Sequence, residues 1–204
     1  MYIPHYYKNE NLEEVKDFLK KNSFGILVNQ LNGRPWATHI PLELDVDQDG
    51  KEVLVGHIAK ANPQWKSLHD GQEVLCIFNG PHAYVSSSWY HEEEVPTWDY
   101  IAVHVYGCLH FLNEAELMDS LVRLVDKYEG ESETPVQLKN MSKKTMRQIK
   151  GIVGFKIAIT EIQAAYKLSQ TRPQDHPKIV LELNKKADEG SREIARIIGQ
   201  HPKK

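Results

Sequence analysis

"FGILVNQLNGRPWATHIPLELDV", residues 24 to 46, decides the fold. "FGILVNQ" is an apolar run of strand length, "WATHIPLELDV" is a second, and between them lies the Asn32-Gly33 pair. Both residue types tolerate the positive φ of a tight two-residue turn, so the pair predicts two antiparallel strands joined as a hairpin. Working outward, "DQDGK" supplies a second turn before the strand-like "EVLVGHIA". "NPQWKSLHD" then offers Asn62 as a cap and Pro63 at the first helical position, where a missing amide donor costs little. A short helix is expected there. "QEVLCIFN", "AYVSSS" and "DYIAVHVYGCLHFL" continue the series, giving about six strands within residues 24 to 112. Hairpin-sized connections make this a largely antiparallel barrel or a strongly curled sheet.

Helices flank the strands. In "NENLEEVKDFLKKN", Asn11 precedes a stripe of Leu12, Val15, Phe18 and Leu19, with Glu14 three residues after the cap. "NEAELMDSLVRLVDKYEG" repeats the device with Asn113 and Glu116, a stripe of Leu117, Leu121, Leu124 and Val125, and Gly130 as the stop. After a short basic helix, "GIVGFKIAITEIQAAYKLSQ" alternates as a long late strand, and the tail from Pro177 reads as two short helices. No repeat or linker divides the chain. The expectation is one α+β domain over residues 1–173, with residues 174–204 as a helical appendage of it.

A formal charge of −3 and a pI near 6.4 argue against a strongly basic nucleic-acid-binding surface. The basic cluster "SKKTMRQIK", with Lys143, Lys144, Arg147 and Lys150, reads as a solvated helix face. Direct DNA binding is therefore not expected. No apolar run approaches the roughly 20 residues that span a bilayer, and "MYIPHYYKNE" lacks the pattern of a signal peptide. Cys76 and Cys108 sit in apolar strand-like runs without metal or redox spacing, as buried thiols do. A cytoplasmic protein with no membrane association is expected.

Which residues carry chemistry? Strand periodicity puts His104, Tyr106, Cys108 and His110 on one face, but consecutive same-face residues lie roughly 7 Å apart, too far to share one ion without help. No metal site is expected. HExxH, paired CxxC, GxSxG and GxxxxGK motifs are all absent, so hydrolytic and nucleotide-cleaving machinery has no visible parts. More informative are "PWATHIPL", "GHIAKANPQWK" and "KLSQTRP", which gather Thr38, His39, His57, Lys60, Asn62, Lys66, Lys167, Ser169, Gln170 and Arg172. Cations and a helix start suit a phosphate, and backbone edges suit a heteroaromatic ring, so this set points to a phosphate-bearing cofactor. Trp65 joins Trp89 and Trp98, from the aromatic stretch "FNGPHAYVSSSWYHEEEVPTWDY", residues 78 to 100, as candidate walls.

"MYIPHYY", "THIPLEL", "GHIAKANPQW", "GPHAYVSSSWY", "VPTWDYIAVHVYG" and "KLSQTRP", in this order from Met1 to about Pro173, resemble the PaiB family of FMN-binding negative transcriptional regulators. The resemblance implies an α+β fold, an FMN-binding split β-barrel of six or seven mainly antiparallel strands with peripheral helices. It also implies a homodimer with cofactor sites at the interface. By similarity, Thr38 and His39 run beside the isoalloxazine edge through their backbone. His57, Ile58, Lys60, Asn62 and Lys66 fall in the segment that holds the ribityl phosphate. Ser86 and Trp98 lie near the ring, and Lys167, Gln170 and Arg172 reach the partner's cofactor. Related pyridoxamine phosphate oxidases place a tryptophan and two arginines in the late segment where this chain has Ile162, Lys167 and Arg172, so that reaction does not carry over. Besides the regulator, two functions compete: a flavin-dependent oxidoreductase using reduced nicotinamide, and a haem-binding or haem-degrading relative.

Overall fold

The computed structural model describes residues 1–200. Its strands are β1 (Phe24–Leu31), β2 (Arg34–Val46), β3 (Glu52–Ala59), β4 (Gln72–Val85), β5 (Thr97–Phe111) and β6 (Ile152–Lys167). They hydrogen-bond in the order β1-β2-β3-β6-β5-β4 and close into a barrel. Helices α1 (Leu12–Lys21), α2 (Glu114–Glu129), α3 (Lys143–Met146), α4 (His176–Asn184) and α5 (Glu189–Gln200) complete the α+β fold. Among the described residues no helix is long and apolar enough to cross a membrane.

The hairpin that the sequence announces forms as expected: Asn32 and Gly33 adopt φ of 54° and 75°, and β1 pairs with β2 from Leu31↔Arg34 back to Phe24↔Pro41. One expectation is corrected. Residues 24–112 hold five strands, because "QEVLCIFN" and "AYV" are one continuous strand, β4, and the sixth strand is β6. Gly80 explains the misreading: a Cβ there would meet the Phe18 ring at 2.6 Å, so the glycine admits an aromatic ring and ends nothing.

The described residues cluster into two compact units. Among the described residues the first comprises Met1–Phe18, Phe78–His104 and residues 163–200. In it Lys8 bridges to Ala165, the Asn9 amide donates to the Ala164 carbonyl at 3.0 Å, and α4 and α5 bury Ile179, Leu183, Ile194 and Ile198 completely or nearly so. The second unit comprises Leu19–Ile77 and Val105–Ile162. Alternation along its strands sends Leu27, Leu42, Leu54, Ile58, Cys76, Leu109, Phe155 and Ile157 into its core. Each such side chain contributes about 1.5–3 kcal/mol on burial. Helix α2 starts with a complete capping box, Asn113 accepting from the Ala115 and Glu116 amides while Glu116 accepts from the Asn113 amide. Its Leu117 and Leu121 then form a satellite cluster with Leu138, against which Met118, Met146 and Ile149 pack.

Candidate cofactor site

In the second unit, β2 changes partner. Residues 34–41 pair with β1, whereas residues 42–46 pair with β3, so the two neighbours part at Leu42. The Leu42 amide donates to the Ser23 carbonyl on the β1 side. By the two-residue period, Thr38 and Ile40 also turn their backbone groups to β1, and Ala37 and His39 turn theirs to the opposite edge. No strand pairs with that edge of residues 34–40 among the described residues. Pro35, Ala37 and His39 are exposed, so this edge is open to solvent and to a guest that can accept from its amides.

The inner face of this segment is fixed by a network around Gln64, which is completely buried in the 3₁₀ turn Pro63–Ser67. Its side-chain amide donates to the Leu27 carbonyl at 3.1 Å and to Asn29 Oδ1 at 3.0 Å, and its oxygen accepts from Thr38 Oγ1. Thr38 Oγ1 in turn accepts from Asn62 Nδ2 at 2.9 Å, and Asn62 Oδ1 caps the turn by accepting from the Gln64 amide at 2.9 Å. Asn29 Nδ2 closes the circuit on Ser67 Oγ at 3.0 Å. Every polar atom of the Gln64 side chain is used. Lys60 and Lys66, on either side of Asn62, are exposed and make no ion pair with a described acid.

The structure thus brings Thr38 and Asn62 together through Gln64. Asn62 has both polar atoms engaged there. His39 lies on the opposite face from Thr38, exposed, 6.4 Å from the Phe24 ring. Ile58 is a core residue at 2% exposure whose partner in the ladder is Val153. His57 points the other way, into a small cavity lined by Glu43, Ser120, Arg123 and Lys127, and burial holds its pKa below the usual histidine value.

The remaining candidates belong to the first unit. Ser86 Oγ meets Ser88 Oγ at 2.9 Å and caps the turn Ser87–Trp89. Trp98 is half-exposed, with the Tyr84 ring at 5.9 Å and the His82 ring at 6.0 Å. Lys167 Nζ donates to the Trp98 carbonyl at 2.8 Å and to Thr97 Oγ1, and lies 5.6 Å from the Tyr7 ring centroid. Gln170 closes its own turn, its oxygen accepting from the Leu168 amide at 2.7 Å and its nitrogen donating to the Tyr166 carbonyl. Arg172 pairs with Glu94 and covers the Tyr90 ring at 4.5 Å.

Sequence reasoning left two residues unmarked. Gln64 is one. Asp99 is the other: completely buried on β5, it accepts from Ser169 Oγ at 2.7 Å through Oδ2, while Oδ1 has no partner. Burial pushes its carboxyl up to about 6, against the Ser169 hydrogen bond and the Lys167 charge. Ser169 adopts φ of 55°, and its carbonyl accepts from the Arg172 amide at 2.9 Å and meets His176 Nε2 at the same distance. Only Asp99 was legible in principle. Asp99 begins the inward set Asp99, Ile101, Val103 and Val105, so it is an acid where the period demands an apolar residue.

A six-stranded closed barrel with one strand edge left unpaired among the described residues, at 34–40, is the architecture of a split-barrel protein. Residues 1–161 match the family model described as "Putative FMN-binding domain", and the chain belongs to that family. It is 43% identical over 206 residues to protease synthase and sporulation protein PAI 2 (PaiB) of Bacillus subtilis, covering 100% of this chain and 99% of that one. An uncharacterized protein of Emericella nidulans is 27% identical over 241 residues, covering 97% of this chain and 96% of its own. Among solved structures, the FAD and haem binding protein of Mycobacterium smegmatis superposes with a TM-score of 0.61 at 15% identity, over 79% of this chain and 73% of that one. The flavocytochrome Anf3 of Azotobacter vinelandii gives 0.59 at 18%, over 79% and 70%. These two likenesses establish the split-barrel fold.

FMN is the cofactor of this family, and the donor set fits it. Two backbone amides on an unpaired edge suit the polar rim of a flat heteroaromatic ring, and the Lys60 and Lys66 ammonium groups suit a phosphate. When bound, the flavin supplies hydride and single-electron chemistry.

Proposed function

We propose that this chain is a homodimeric, PaiB-type FMN protein that acts as a negative regulator of transcription without itself contacting operator DNA. The unpaired edge of β2 carries the reading: Ala37 and His39 offer it their amides, Thr38 and Asn62 hold it rigid through Gln64, and Lys60 and Lys66 take the phosphate. The second copy has a candidate seat. Cross-strand pairing sets Ile26 between His39 and Ile77, and Val28 between Ala37 and Leu75, on the outward face of the β2-β1-β4 sheet. Those four aliphatic side chains remain half-buried, as an interface core awaiting its partner does. The overall negative charge, and an α3 whose four residues are too short for a recognition helix, support indirect action on DNA.

The visible spectrum of the purified protein, with mass identification of what denaturation releases, tests the cofactor. Released FMN supports the reading, and a colourless protein that refuses added FMN overturns it. Light scattering tests the dimer. A salt-dependent shift of a promoter fragment by the isolated protein would overturn the indirect mode. Rapid anaerobic bleaching of the flavin by NADH or NADPH would move the function to the oxidoreductase class.

A further inference from the structure

A groove of about 590 Å³ opens along the first turns of α2, within the second unit. Leu117, Met118, Met146 and Ile149 form its apolar floor, and Lys60 and Lys150 stand on its lining. Its size falls in the range of roughly 300–1,000 Å³ typical of small-molecule sites. Met118, Met146 and Ile149 are only half-buried, so part of the satellite cluster stays wet, and unbranched thioethers adapt readily to a guest.

The polar chemistry of the lining is narrow. The capping box engages Asn113 Oδ1 and Glu116, which leaves two ammonium groups, the Asn113 Nδ2 donor and the Glu114 carboxylate. Neither lysine is paired with a described acid, so the lining carries an excess of positive charge. The backbone of Lys60 is held in place: its amide donates to the Gly151 carbonyl at 2.8 Å, and its carbonyl accepts from Trp65 Nε1 at 2.6 Å. An apolar floor with cations at its margin complements one chemical class. We infer that this groove binds a small anionic amphiphile, an apolar chain or ring bearing one carboxylate. This goes beyond flavin binding: Lys60 belongs to the candidate phosphate set, so with FMN bound the carboxylate falls to Lys150.

Isothermal titration calorimetry of the full chain loaded with FMN, using dodecanoate and, as its cationic counterpart, dodecylammonium, tests the inference. Dodecanoate should bind saturably at one per chain, and dodecylammonium about tenfold more weakly. Lys150→Glu, an exposed substitution that leaves the fold alone, should weaken dodecanoate about fivefold. Met118→Trp should fill the groove and abolish binding, with the flavin spectrum unchanged in both variants. Equal uptake of the two amphiphiles, or indifference to Lys150→Glu, would overturn the site. Mutual expulsion of FMN and dodecanoate would also overturn it, by making the groove part of the flavin site. If the chain takes up no FMN, the flavin reading fails by itself, and the same titrations on the flavin-free chain still decide the groove.

Discussion

Gln64 and Asp99 are both completely buried polar side chains, each within its own compact unit, yet they are accommodated in opposite ways. Gln64 is neutral and satisfied at every polar atom by Leu27, Asn29 and Thr38. Asp99 is ionisable, keeps one oxygen without a partner, and relies on a serine held at positive φ. The first arrangement is indifferent to pH and holds a backbone edge in place. The second ties the turn from β6 into α4 to a carboxyl whose protonated form burial favours. A satisfied neutral network gives rigidity, whereas an under-satisfied acid gives responsiveness.

The contrast can be broken most forcefully at Gln64. Gln64→Leu removes one side chain and strands the Leu27 carbonyl, Asn29 and Thr38, so it should cost about 4 kcal/mol in urea unfolding. That loss should be flat between about pH 5 and 8, because no group in the network titrates there. A strongly pH-dependent loss would erase the distinction.

Asp99→Asn should behave in the reverse manner. The folded carboxyl titrates at about 6, against 3.8 for the free side chain. The folded state therefore holds the proton more tightly, and the stability this group contributes is present below about pH 4 and lost as pH rises through about 6. Relative to Asp99→Asn, the unmodified protein should lose about 3 kcal/mol between pH 4 and 7, read from urea midpoints at each pH. Parallel stability curves for the two proteins would show that Asp99 does not carry this proton.

Two hydroxyl deletions sharpen the comparison at smaller scale. Thr38→Val leaves Gln64 and Asn62 without their shared partner and should cost about 2 kcal/mol, with a parallel loss of FMN affinity. The Tyr90 hydroxyl, by contrast, is buried without a partner. Tyr90→Phe should raise stability by about 1 kcal/mol, since it removes a buried hydroxyl that has no partner.

Most of the barrel was legible because its signals are local. The Asn32-Gly33 turn, the Asn113/Glu116 capping box and the alternation of β5 each operate over a few residues. β4 was misread for the same reason: Gly80 looks like punctuation, and only the packed Phe18 ring reveals it as a point of close approach. The candidate site was less legible because its parts are joined by side chains distant in sequence. Thr38 and Asn62 were marked for contact with a ligand, but the residue that unites them, Gln64, shows no local peculiarity beyond being polar between Pro63 and Trp65.

The parting of β2 from β3 has a further consequence for aggregation. An open strand edge invites another chain to add to it, the first step of sheet-to-sheet aggregation. Along the exposed edge the outward-turned positions are 35, 37, 39 and 41, and prolines stand at the two ends, Pro35 and Pro41. Proline has no N–H to donate, so an intruding strand would find only the Ala37 and His39 amides and no continuing ladder. The gap is therefore gated at both ends: wide enough in hydrogen-bonding capacity for a compact guest, and too short for a neighbour's backbone.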